Sequence, residues 1–285
     1  MYLKIISHIF VSQFIFFLKH NYNRIKIALE NNKPDYFDAL SINGFVHIKK
    51  CLSEEEVNNF FKLIDIKNSD QLESIIEQKT SENSVACTIY NRYSKEKFPV
   101  NAVDYYQHLP QIKMINNLVS NYLGKPKLVA IYENEIMGLG KYKSSSGAMQ
   151  PHHDNKFNRI KVYLCLSRIS DLRHPLFYLK GSHLKFKLPL NYSSTRYPLI
   201  PKDNMEKIKM DLGDIVIFDT HGIHSHMKDF GLPRAVYNYS IDPNYYYITK
   251  SLLNKFLKNV KGTLYSITHD GATKQIDNLD TKANV

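Results

Sequence analysis

Asp211-Leu212-Gly213-Asp214-Ile215-Val216-Ile217-Phe218-Asp219-Thr220-His221-Gly222-Ile223-His224-Ser225-His226 is the stretch on which the reading of this chain turns. Asp211 to Asp214 reads as a turn, and the short apolar run Ile215 to Phe218 as the strand it launches. Similar short runs, rich in Val, Ile, Tyr and Phe and separated by turn residues, occur at Leu128–Tyr132, Ile160–Leu166, Leu176–Leu179 and Ala235–Ile241. Short strands in succession, without intervening helices, predict a sandwich or jelly roll rather than a βαβ sheet.

Upstream the pattern is helical. Gly44-Phe45-Val46-His47-Ile48 is a brief extended run, followed by Ser53-Glu54-Glu55-Glu56, a capping-box start with Ser53 as N-cap. Val57, Phe60, Phe61 and Ile64 continue it at helical spacing. Ile112, Ile115, Leu118, Val119 and Tyr122 predict a second amphipathic helix, begun near Pro110 and ended by Gly124. The first ~125 residues are therefore expected to be mainly helical. Leu252, Leu253, Phe256, Leu257 and Val260 predict one late helix, and the polar tail after His269 is expected to fray. The expected division is a helical extension at 1–40, one main domain at 41–268 and a tail at 269–285. A chain of 285 residues with 43% hydrophobic content suits one such domain with additions.

Composition narrows the class. The net charge of +11 and pI near 9.3 favour anionic partners. The charge is dispersed, with no block of five or six consecutive Lys or Arg, so a solvated basic surface is the first reading and a basic rim steering an anionic substrate the lesser alternative. Cys51, Cys87 and Cys165 give neither a disulfide framework nor zinc-ribbon spacing, which fits a reducing cytoplasm. Ile5 to Leu18 is apolar but only 14 residues long, against the ~20 needed to span a bilayer. It lacks a small-residue cleavage site before Lys19, against a signal peptide. A helix packed on the domain is the first reading. Weak membrane-surface contact, with Lys19, Arg24 and Lys26 facing headgroups, is the second.

Seven of the twelve histidines lie between residues 152 and 226. In Pro151-His152-His153-Asp154, His152 and Asp154 are two apart, which on extended backbone puts both side chains on one face. A third ligand from a facing strand would complete one triangular face of an octahedral ion. Two imidazoles and a carboxylate with three open positions is the arrangement of non-haem Fe(II) oxygenases. His224 follows Phe218 by six residues, with His221 and His226 as rivals, and Arg234 follows His224 by ten. If the chain turns back there, Arg234 enters on the neighbouring strand, where a guanidinium can hold the distal carboxylate of 2-oxoglutarate.

With these residues in view the sequence resembles the phytanoyl-CoA dioxygenase-like group of Fe(II)/2-oxoglutarate oxygenases. The resemblance begins at Gly44-Phe45-Val46 with Leu52 to Glu56. It runs through His152-His153-Asp154, Gly181-Ser182-His183 and Gly213-Asp214 to His224 and Arg234, covering roughly residues 40 to 245. It implies a mainly β fold with a helical N-terminal part, a double-stranded β-helix (jelly roll, cupin-like) with flanking helices. It also implies His152, Asp154 and His224 as iron ligands, Arg234 as the 2-oxoglutarate anchor and a structural role for the Gly-Ser-His turn. Lys161 and Tyr163, alternating on one strand face, are candidates to reach the oxoacid or substrate, with barrel-wall packing as the plainer reading. The expected reaction is hydroxylation of a small molecule with O2, releasing succinate and CO2; a carboxylate at 154 argues against halogenation. A non-catalytic cupin-like binding module is the alternative. A nucleic-acid demethylase is disfavoured, since position 240, where a second Arg is expected, is Ser240. Oligomeric state is not legible.

Overall fold

The computed structural model describes residues 17–18, 21–30, 33–81, 86–91, 99–123, 129–140, 150–154, 159–185, 194–197, 199–226 and 231–243. The late helix expected at 252–260, the tail after 269 and most of the apolar run 5–18 lie outside the described residues. Helical positions at 21–28 (α1) lead to α2 (Phe37–Asn43), α3 (Glu54–Leu63), α4 (Ser69–Lys79), α5 (Val100–His108) and α6 (Pro110–Tyr122). The Ser53 capping box forms as expected. Ser53 Oγ accepts from Glu56 N at 3.2 Å, while Ser53 N donates to Glu56 Oε2 at 2.7 Å. Pro110 sits at the first turn of α6, where its missing N–H costs nothing.

The strands are β1 (Phe45–Ile48), β2 (Ala86–Asn91), β3 (Val129–Leu139), β4 (His152–Asp154), β5 (Ile160–Cys165), β6 (Leu176–Tyr178), β7 (Ser194–Arg196), β8 (Glu206–Ile208), β9 (Ile215–Asp219), β10 (His224–His226) and β11 (Arg234–Pro243). They form two antiparallel sheets, one ordered β1-β9-β5-β11-β3-β2 and the other β7-β4-β10-β6-β8. This is the jelly roll, with helices laid on the larger sheet.

Strand period explains why the apolar runs in β5, β9 and β11 are nearly continuous: each has two buried faces. Val162, Leu164, Ile215, Ile217, Ala235, Tyr237, Tyr239 and Ile241 pack with α3, α5 and α6 residues such as Phe60, Tyr106 and Ile115. The alternate residues Tyr163, Cys165, Val216, Phe218 and Val236 pack with Leu176 and Tyr178 of the smaller sheet. Polar residues on this second face are the ones to explain, and Lys161, Arg234, Asn238 and Ser240 all share it by alternation.

Two expectations need adjusting. The first ~125 residues include a strand, β2, paired with β3 on an edge of the larger sheet. β3 also extends well past Tyr132, to Leu139. Glu135 breaks its apolar pattern because it faces Asn238, whose Nδ2 donates to Glu135 Oε1 at 2.8 Å.

The 211–214 turn is tied to β1 and the start of α3. Asp214 Oδ1 accepts from Lys50 N at 2.7 Å, Asp214 Oδ2 accepts from Asp211 N at 2.9 Å, and His47 Nε2 lies 2.8 Å from Oδ2. Gly213, at φ +82°, accepts from Leu52 N at 3.0 Å, and a Cβ there would stand 2.4 Å from Leu52 O. Gly181 is also left-handed (φ +70°), but a Cβ there meets nothing nearer than 3.8 Å. Gly181→Ala should therefore lose only the backbone term, about 1–2 kcal/mol. Gly213→Ala should lose that and more, because the backbone of Leu52 must move; urea denaturation of the two variants side by side measures the difference.

Candidate metal centre

β4 is three residues long, and alternation sends His152 and Asp154 to the barrel interior and His153 to the outside. β10 does the same with His224 and His226 inward and Ser225 outward. The two strands are neighbours, and the register sets His224 directly opposite His152, with ring centroids 4.4 Å apart. Asp154 N donates to Thr220 O at 2.9 Å, closing β4 onto the turn before β10. One donor atom each from His152, Asp154 and His224 then lies within 4.8 Å of the others.

The turn that aims His224 is built by Asp219. Its Oδ1 accepts from His221 N at 2.8 Å, its Oδ2 accepts from Tyr122 Oη at 2.7 Å, and its carbonyl accepts from Gly222 N and Tyr178 Oη. Gly222 is obligatory here, since a Cβ would sit 1.7 Å from Tyr178 Oη. The Gly-Ser-His turn fixes the other side. Ser182 Oγ donates to Leu179 O at 2.6 Å and accepts from Ile223 N at 2.7 Å, one residue before His224. His183 faces away from the three donors, its Nε2 3.0 Å from Ser41 O.

The donor chemistry suits a divalent metal. His152 Nδ1 lies 2.8 Å from Gln150 O and His224 Nδ1 2.9 Å from Gly222 O. A carbonyl can only accept, so each Nδ1 carries the proton and each Nε2 is left with its lone pair. His152 Nε2 is 3.8 Å from Asp154 Oδ1. Burial, reinforced by neighbouring His152, pushes the His224 imidazole down to about 3, and burial likewise lowers His152. Burial alone would raise the Asp154 carboxyl, but Lys161, His224, His152 and Arg159 together hold it well below the usual carboxylate range. At neutral pH the set is two neutral imidazoles and one carboxylate.

The remaining residues singled out from sequence fall into three places. Lys161 Nζ is 3.4 Å from Asp154 Oδ2. Tyr163 is buried, its ring edge-on to Phe218 and nearly parallel to His226 at 6.5 Å between centroids. Arg234 opens β11 fully inside the barrel, with Nη2 2.9 Å from His226 Nδ1. Its Nε has no hydrogen-bond partner, and among the described residues no carboxylate pairs with it. His221 stays outside the cluster, with Nε2 3.2 Å from Lys185 O and its ring against His153. The sequence reading missed His226 as the partner of Arg234, although the two-residue spacing from His224 already put both on one face.

The chain is similar to proteins of known family and fold. The sequence model of the phytanoyl-CoA dioxygenase (PhyH) family matches residues 41–225, a span that contains His152, Asp154 and His224 and stops before Arg234. No curated protein sequence matches the chain. Among solved structures, the epimerase SnoN in complex with Fe3+, alpha ketoglutarate and nogalamycin RO aligns at TM-score 0.51 and 16% identity, over 72% of this chain and 80% of that chain. The non-heme monooxygenase ThoJ, in its apo form, aligns at TM-score 0.50 and 15% identity, over 73% of this chain and 77% of that chain. At these identities the likeness is one of fold. The family match spans well over half of the sequence, so the chain belongs to the phytanoyl-CoA dioxygenase family of Fe(II)- and 2-oxoglutarate-dependent oxygenases.

Proposed function

We propose that His152, Asp154 and His224 hold the Fe(II), that Arg234 anchors 2-oxoglutarate, and that the protein hydroxylates a C–H bond of a small molecule. The balance is R–H + O2 + 2-oxoglutarate → R–OH + succinate + CO2. The observation that carries this reading is Arg234, a guanidinium buried inside the barrel with no carboxylate paired to it among the described residues. Burial lowers its pKa to about 10, so it stays protonated at neutral pH. A buried, uncompensated charge costs several kcal/mol, and a co-substrate carboxylate making two parallel hydrogen bonds relieves that cost.

His226 supports the assignment by geometry. It stands two residues from His224 on the same face, about 7 Å along the strand, a span suited to a five-carbon dicarboxylate. By accepting one N–H of Arg234 Nη2 it holds the guanidinium plane, which leaves the second Nη2 N–H and Nε for the carboxylate. Lys161 neutralises Asp154 Oδ2 and leaves Oδ1 toward His152. Three protein donors leave half of an octahedral shell to exchangeable ligands, which favours catalysis over a closed structural site. Bound there, the iron supplies O2 activation coupled to oxidative decarboxylation of the oxoacid. The aromatic and aliphatic wall of Tyr163, Phe218, Val216 and Val236 keeps bulk water from the reacting atoms. The substrate is an anionic small molecule in this reading, from the basic balance of the chain and from Arg196, exposed directly across from His152.

Protein supplied with Fe(II), 2-oxoglutarate and a metabolite mixture should release succinate with a product heavier by one oxygen. Absence of any metal-dependent succinate would leave a binding module, and a product of unchanged mass would replace hydroxylation by another outcome. Arg234→Leu should weaken 2-oxoglutarate by about tenfold to a hundredfold, the loss of a charge-assisted bidentate contact, while keeping the metal. Calorimetric titration of the oxoacid into metal-loaded protein reads it. The metal-free protein has a pH signature too. The depressed His224 pKa means its neutral burial stabilises fully above about 6.5 and is lost as pH falls toward about 3, because the unfolded chain takes up the proton first. Thermal midpoints of metal-free protein should drop across that window, and less steeply in His224→Leu.

A further inference from the structure

α1 carries two apolar faces, and the metal site accounts for neither. One is turned to the body: Ile27 joins the main core, and buried Arg24 bonds Tyr122 Oη through Nη1 at 3.3 Å. The other is open. Tyr22 is 67% exposed, Ile25 62% and Leu29 80%. At 3.6 residues per turn Tyr22, Ile25 and Leu29 fall within an arc of about 60°, a continuous stripe rather than scattered side chains. Stripes of this kind on a surface helix mark an interaction face.

The charges around the stripe choose its occupant. Lys26 is exposed beside it. The whole chain carries +11, so a second copy would bring like charge against like charge. An anionic surface is attracted instead. No helix among the described residues is long and apolar enough to cross a membrane, and the apolar sequence run from Ile5 leads directly into the stripe. A lysine edge beside an apolar stripe of aliphatic and aromatic residues is the pattern of a helix lying in the headgroup region. We infer that α1 docks the protein on an anionic lipid surface through Tyr22, Ile25 and Leu29, with Lys26 facing the headgroups. Since Arg24 bonds Tyr122 and Tyr122 bonds Asp219, the docked helix is tied to the turn that aims His224.

Flotation of the full chain with phosphatidylcholine vesicles, with and without phosphatidylglycerol, tests this independently of the oxygenase reading. The protein should float with the phosphatidylglycerol vesicles and be released by salt. Ile25→Glu/Leu29→Glu should lower the bound fraction by more than about tenfold, with unchanged circular dichroism, thermal midpoint and Fe(II) binding. Lys26→Glu should weaken binding to anionic vesicles while leaving the apolar stripe intact. No flotation, or equal flotation with neutral vesicles and with the double variant, overturns the inference. So does a wild-type dimer in sedimentation that the double variant converts to monomer, because the stripe would then be a self-interface.

Discussion

The antiparallel register that sets His224 opposite His152 is the constraint from which the rest of the site follows. Paired residues on adjacent strands are close in space whatever the loops between them do, and alternation then decides which neighbours join them. Two residues along β4 comes Asp154, and two along β10 comes His226. A slip of one residue in either strand would turn His153 or Ser225 inward and dissolve the cluster. The fold defends this register from both ends. Asp219 gathers the backbone amides and tyrosine hydroxyls of the turn before β10, and Ser182 bonds the amide next to His224.

A barrel interior lined by Phe218, Val216 and Tyr163 is a poor place for charge, yet Lys161, Asp154 and Arg234 are all there. Lys161 and Asp154 compensate each other. Among the described residues, the hydrogen-bond partner of Arg234 is a neutral imidazole and no carboxylate pairs with it. Burial of an unmatched guanidinium works against folding, and the protein tolerates it where a ligand would complete the pairing. The same logic orders the imidazoles, whose Nδ1 atoms are spent on carbonyls so that Nε2 stays available.

Much of the architecture was legible because both faces of β5, β9 and β11 are apolar, and the turn chemistry at 211–214 marks where one of these strands begins. The capping box at Ser53 and the five-residue stripe of α6 follow from local rules and formed where expected. β2 and the far half of β3 were not legible, because their pattern is set by cross-sheet partners such as the Glu135–Asn238 pair and not by local hydrophobicity. For the site, the His152/Asp154 spacing is a local fact about a strand. The choice among His221, His224 and His226 is not, because it depends on where the Asp219 turn ends. Three histidines in one short run acquire three environments: a backbone carbonyl and His153 for His221, the cluster for His224, and Arg234 for His226.

The most direct test of this account is an anaerobic Fe(II) titration of the wild-type chain and of single alanine variants at the five histidine and aspartate positions in and around the cluster. One ion should bind per chain, its affinity falling at least about a hundredfold in His152→Ala, Asp154→Ala and His224→Ala, since each removes a direct ligand. His221→Ala and His226→Ala should retain the ion. Tight iron binding that survives His224→Ala but is lost in His221→Ala or His226→Ala would contradict it.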